Sequence, residues 1–124
     1  MMSDKSKTEV NIELMEREIV SGQELHGTIS VNYTGRFDSI VINSQIENSS
    51  DIFNYTSING KKVNHQYARL SIFKDDLKDK TYLEFTAVTS HNPRNGHTNA
   101  KFRVAVIQEH KEVVSALAYV KILS

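Results

Sequence analysis

A chain of 124 residues with 15 Lys and Arg, 15 Asp and Glu, and no Cys has no global field to draw it to nucleic acid or acidic lipid. Nor can it form a disulfide or a thiolate metal site. No stretch approaches the ~20 apolar residues that cross a bilayer as a helix, so no membrane insertion is expected. The length suits a single domain that buries roughly two-thirds of its unfolded surface.

Residues 1–7 are polar and mixed in charge, without the apolar core of a secretion signal. They read as a disordered tail ahead of one folded domain over 8–124, in a cytoplasmic protein. Asn-X-Ser/Thr triplets at Asn32, Asn48 and Asn54 would matter only in a secreted chain. Val10, Ile12 and Leu14 alternate with polar neighbours and predict a first strand near 8–15. Ile12, Met15 and Ile19 also sit at helical spacing, but the turn signal at Gly22 favours the strand.

The clearest element follows. Leu25, Gly27, Ile29, Val31 and Tyr33 share one side of an extended segment, and Glu24, His26, Thr28, Ser30 and Asn32 share the other. A period of two over ten residues is a half-buried strand. Thr34-Gly-Arg36 reads as a turn in which Gly35 supplies a positive φ. The next strand spans about 37–47, with Ile40, Ile42 and Ile46 on one face and Ser44 interrupting it as a hydroxyl bonded to backbone.

A loop at 48–51 leads to a strand over 52–58 that ends in Asn59-Gly60, the strongest short hairpin signal. Phe53 and Tyr55 share a face of it, either as core or as an exposed aromatic patch of the kind that binds sugars or single strands. Core is favoured because large rings supply much of a small domain's buried area. The returning arm 61–66, with Lys61 and Lys62, is polar enough for an exposed sheet edge.

Tyr67 to Phe73 continues extended, with Ala68, Leu70 and Ile72 on one side. The charged connection 74–80 fits a single helical turn with Leu77 inward. Leu83, Phe85 and Ala87 then share a face of a strand over 81–89. Ser90 to Ala100 has no period and holds the only Pro, so it reads as an irregular loop. Lys101 to Gln108 is apolar on both faces and marks a central strand. Glu109–Glu112 contains neither Gly nor Asn and predicts a looser hairpin before a last strand over 113–123.

Seven to nine strands at spacings near 8–12 residues, without a long helix, predict an all-β fold, a β-sandwich or a small barrel; the presence of both amphipathic and doubly apolar strands favours a two-layer antiparallel β-sandwich. The step Leu25-His-Gly-Thr-Ile29, the segment Tyr82-Leu-Glu-Phe-Thr-Ala87, a loop with Pro93, and Lys101-Phe-Arg-Val-Ala-Val106 together resemble arrestin-like domains and their retromer and sporulation-control relatives. The resemblance implies an immunoglobulin-like sandwich serving as a protein-binding scaffold. It departs from the pattern in two ways. The chain has length for one such domain instead of two, and Glu9, Asn11 and Glu13 stand where a phosphate-sensing basic pair would be. No functional residue carries over.

Among the five His, His26, His65 and His110 read as surface side chains. His91 and His97 share a loop with Arg94 and Asn95, a set that suits a small ligand, sugar or anion. Zinc needs three or four ordered ligands, and no acid lies near these two His in sequence. Asp75, Asp76 and Asp79 lack the spacing and Gly of a calcium loop. With no phosphate cradle, nucleophile elbow or defensible carboxylate pair, the expectation is a non-enzymatic module, with no cofactor and no metal. It would bind a protein partner or itself through edge strands and end loops. A small-ligand module using the 90–100 loop is the alternative.

Overall fold

The computed structural model describes residues 9–77 and 82–124. The expected tail over 1–7, and Asp79, lie outside the described residues. Among these residues ten strands and one helical turn follow one another: β1 Val10–Leu14, β2 Glu18–Val20, β3 Leu25–Val31, β4 Ser39–Ile46, β5 Phe53–Ile58, β6 Lys61–His65, β7 Arg69–Phe73, α1 Lys74–Leu77, β8 Tyr82–Thr89, β9 His97–Gln108 and β10 Lys111–Leu123. They form two five-stranded sheets, ordered β1-β3-β8-β5-β6 and β2-β10-β9-β4-β7. The expected two-layer all-β sandwich is what the chain adopts, with ten strands in place of seven to nine.

The extra strand comes from 16–20, which sequence alone leaves as a connection. There the chain leaves the first sheet, where β1 pairs antiparallel with β3, and joins the second, where β2 lies parallel to β10. Glu16 holds this crossing. Its carboxylate accepts the His26 backbone N–H at 2.8 Å and the His26 ring Nδ1 at 2.7 Å, while the Met15 N–H donates to the His26 carbonyl at 2.9 Å. His26, expected to be simply solvated, is therefore a half-exposed clamp.

The periodicities land where the pleat puts them. Leu25, Gly27, Ile29 and Val31 face inward from β3, and Leu83, Phe85 and Ala87 from β8. Ile40, Ile42 and Ile46 face them from β4, with Phe102, Val104 and Val106 from β9. Phe53 and Tyr55 are core, at 0% exposure. They cluster with Phe85 and Phe102 at ring separations of 4.9 Å (Phe53–Phe102) to 6.4 Å (Tyr55–Phe102), inside the range where edge-on aromatic pairs attract. Leu77 tucks in from α1 as expected.

Several local expectations are corrected. Gly35 does not take a positive φ; it is small because the Tyr33 ring lies where a Cβ would go, with the hydroxyl oxygen 2.6 Å from that point. The Ser44 hydroxyl, expected on backbone, is buried without a hydrogen-bond partner among the described residues. The 90–100 loop ends early, since β9 begins at His97 by pairing with Leu123. Nothing periodic in His97-Thr-Asn-Ala100 announces this.

The β9–β10 connection is tight instead of loose. Glu109 and His110 both have positive φ, 49° and 68°, and the turn is clamped where the Glu109 N–H donates to Asp38 Oδ2 at 2.7 Å. That bond to a side chain 71 residues away supports a conformation that local sequence disfavours.

Candidate functional site

Two surfaces hold the residues with unmet bonding capacity. The first is a cleft of about 420 Å³ at one end of the sandwich, lined by Glu47, Asn48, Asp51, His91, Asn92, Pro93, Arg94, His97 and Thr98. Three of the four expected site residues, His91, Arg94 and His97, meet there. Asn95 does not line it; its carbonyl accepts the His97 N–H at 2.9 Å.

His91 is held on both ring nitrogens, with Nδ1 2.8 Å from Asp51 Oδ2 and Nε2 3.2 Å from Thr98 Oγ1. The hydrogen bond from His91 is the main influence holding the Asp51 carboxyl below its ordinary range. Asp51 is the nearby acid that sequence adjacency did not offer, because it lies 40 residues upstream. Thr89 braces the loop further: its hydroxyl donates to the Ile52 carbonyl at 2.9 Å and accepts the His91 N–H at 3.1 Å.

The carboxylate–imidazole–hydroxyl chain Asp51–His91–Thr98 has the connectivity of a nucleophile with its base. Acyl transfer also needs donors aimed at a developing oxyanion. Here the Asp51 and Glu47 carboxylates line the same cleft and oppose negative charge in it. No group of three or more His, Cys, Asp or Glu suited to a metal ion occurs among the described residues.

The second surface is β10 itself. Its partner on one side is β9, from Lys111–Gln108 to Leu123–His97, with a bulge between Glu112 and Val114. On the other side only β2 is beside it, and only at Lys121–Leu123. From Lys111 to Val120 no described strand pairs with that side. The Lys121 N–H is given to the Arg17 carbonyl at 2.9 Å, which fixes the phase of the ladder. Backbone groups alternate in an antiparallel strand, so Ser115, Leu117 and Tyr119 also direct N–H and C=O away from β9.

The side chains match this opening. Val113, Leu117 and Tyr119 are 37%, 47% and 65% exposed on the outer face, beside Arg103 and Lys101, which oppose Leu117 and Tyr119 in register. Arg103 makes a two-pronged bond with Glu112, one arm at 2.6 Å, which holds the Glu112 carboxyl below its usual range.

Val113–Val120 contains no charged residue. Other edges are guarded: β6 carries Lys61 and Lys62, and its corner with β7 is closed by Tyr55 Oη donating to the Ala68 carbonyl (3.0 Å) and His65 Nε2 bonding the Arg69 carbonyl (2.6 Å). Charge on an edge discourages pairing with other chains, and β10 lacks it.

No protein-family model and no curated protein matches the sequence. Solved structures do resemble the fold. The chain is similar to the reeler domain of human F-spondin, with a TM-score of 0.56 and 10% identity over 94% of this chain and 93% of that one. It is also similar to a conjugative transposon lipoprotein from Bacteroides eggerthii (TM-score 0.52, 9% identity, 92% and 96% covered). A third is the third ScaB cohesin of R. flavefaciens, solved in complex with a group 1 dockerin (TM-score 0.50, 13% identity, 97% of both chains). What they share with this chain is the sandwich.

Proposed function

We propose that the protein is a non-enzymatic interaction module that takes up an extended segment of a protein partner along the free edge of β10. The observation that carries this is the uncharged run Val113–Val120, standing at a sheet edge with outward backbone groups and three exposed apolar side chains. In strand addition the main chain supplies affinity and alternate side chains supply specificity. Leu117 and Tyr119 are placed to provide the second. The similar cohesin was solved in complex with a dockerin, so a sandwich of this kind can take a protein partner. The finer arrestin-like or immunoglobulin-like reading is supported by the position of Leu25–Ile29 in β3, the strand beside β1 in the first sheet.

A photo-reactive amino acid at position 117, expressed in the source cell, tests this directly. Adducts to protein are expected at 117 and not at 62 on the guarded β6 edge. Equal yields at both positions, or none at 117, would refute the reading.

A second reading rests on the end cleft, whose walls suit a small polar ligand such as a sugar. The Asp51 and Glu47 carboxylates weigh against an anion. Changing His91, Arg94 and His97 together to Ala should abolish ligand-induced thermal shifts in a screen of mono- and oligosaccharides while leaving the 117 adducts intact. Shifts that survive the triple change would exclude the cleft.

A further inference from the structure

We propose that the end cleft is one end of a longer groove, and that this groove binds an uncharged oligosaccharide laid across the outer face of the second sheet. The inference rests on the second reading above and extends its site.

Strand pairing sets out the face as a grid. Tyr119 of β10 opposes Lys101 of β9, which opposes Gln45 of β4. Two residues toward the β9–β10 turn, Leu117 opposes Arg103 and Arg103 opposes Asn43. Two residues the other way, Lys121 opposes Asn99, whose carbonyl accepts the Glu47 N–H at 2.9 Å. With about 4.8 Å between strands and about 6.8 Å between alternate residues, the patch measures about 10 by 14 Å. Ile46, Ala100, Phe102 and Val120 turn into the core. The alternation therefore leaves Asn43, Gln45, Glu47, Asn99, Lys101 and Tyr119 exposed on the outside.

Tyr119 stands between two hollows. One of about 360 Å³ is walled by Gln45, Glu47, Asn99 and Lys101, and one of about 460 Å³ by Arg17, Glu47, Asn99 and Lys121. Glu47 and Asn48 wall both the first of these and the end cleft. The three hollows thus adjoin, from His91 past Glu47 to Tyr119 and on to Arg17.

The chemistry of this path selects the ligand. The Tyr119 ring offers a flat apolar face with few torsions to fix, which suits the C–H face of a sugar ring. Each side-chain amide carries donors and an acceptor, and a hydroxyl both donates and accepts. The amide oxygens of Asn59 and Asn64 are taken by protein N–H groups. Among the described residues the amides of Asn43, Gln45, Asn48 and Asn99 have no such partner and keep both halves for a polyhydroxyl ligand. Charges stand in opposed pairs along the path. Arg103 bonds Glu112, Lys121 opposes Glu18, Lys101 and Glu47 share one wall, and Arg94 and Asp51 share another. Neither sign prevails, so the face complements an uncharged ligand and lacks the field that a phosphate backbone needs.

Calorimetric titration of the full chain tests this, with disaccharides and hexasaccharides of β-linked glucose, xylose, mannose and N-acetylglucosamine as probes. At least one series should bind, its hexasaccharide about tenfold tighter than its disaccharide or more, the size of one added ring stack. Only the longer chain reaches from the His91 cleft to Tyr119. Tyr119→Ala should remove that gain, and Tyr119→Phe, which keeps the ring, should retain it. A hexasaccharide no tighter than its disaccharide, or one indifferent to Tyr119→Ala, would overturn the longer groove. The cleft reading survives that result if the triple change of His91, Arg94 and His97 abolishes disaccharide binding. No binding in any series overturns both, and protein adducts from a photo-reactive residue at position 45 would then assign the face to a protein partner.

Discussion

Gly27 offers the sharpest test of how the sheets fit together. It sits on β3 directly opposite Phe85 of β8, and a Cβ built on it meets three atoms of the Phe85 ring, the farthest only 3.1 Å away. Phe85 cannot yield freely, since its ring is 6.0 Å from that of Tyr55 and 5.8 Å from that of Phe102. Overpacking a filled core costs about 1–3 kcal/mol. Replacing a mid-strand Gly by Ala returns about 0.5–1 kcal/mol of backbone entropy. With two of those ring atoms inside any ordinary contact distance and the ring unable to yield, the overpacking cost lies in the upper half of that range, so Gly27→Ala should destabilise by about 1–2.5 kcal/mol. Gly27→Val, which forces the ring out, should approach the ~3–5 kcal/mol of losing a core Phe.

Urea unfolding followed by circular dichroism measures this, and an unchanged m-value would confirm that the native state stays compact. In a Phe85→Leu background the Gly27→Ala cost should shrink by about 1 kcal/mol, a coupling that residues in contact show. A neutral or stabilising Gly27→Ala would refute the argument, because it would mean the ring does not cover that glycine.

Two further outcomes follow from the clamp and the hairpin. Burial raises the Glu16 carboxyl, but the hydrogen bonds from the His26 N–H and ring, with the His26 charge, outweigh it and hold the group below the ordinary carboxyl range. A carboxyl depressed in the folded state adds stability above its unfolded value, and loses it as pH falls through the folded one. Wild type should thus exceed Glu16→Gln by about 1–2 kcal/mol at pH 7, with the gap narrowing as pH falls from the unfolded carboxyl value through the lower folded one; urea midpoints along a falling pH series check it, and a gap that does not narrow on acidification would contradict it. At the β9–β10 turn, Glu109→Asn with His110→Gly supplies residues that tolerate positive φ, and should raise stability by about 1 kcal/mol. A lower melting temperature would show that the Asp38 bond requires the native pair.

How much could be read in advance depended on whether a feature is local. The alternation through Leu25–Val31 marks a half-buried strand because the pleat itself has a period of two. Asn59-Gly60 marks a tight turn because both of its residues accept positive φ, as they do at 51° and 80°. The polar arm with Lys61 and Lys62 was legible as an edge for the same kind of reason. His97–Ala100 was not legible, since its polar residues become strand only by pairing with the end of β10. The cleft was half legible: His91, Arg94 and His97 share one segment, whereas Asp51, Glu47 and Thr98 reach it through the fold.

The chain on its own therefore determined the class of element, the inward faces and the two-layer arrangement, because side-chain periodicity and turn chemistry act over a few residues. Tertiary structure decided everything that depends on which strands become neighbours. It carried the chain from β1 in one sheet to β2 in the other, forced Glu109 and His110 into a tight turn through Asp38, and left the side of β10 away from β9 without a paired strand from Lys111 to Val120 among the described residues. Pairing between distant segments is set by the packing of the whole core, so the opening on which the proposed function rests is written in no single stretch of sequence.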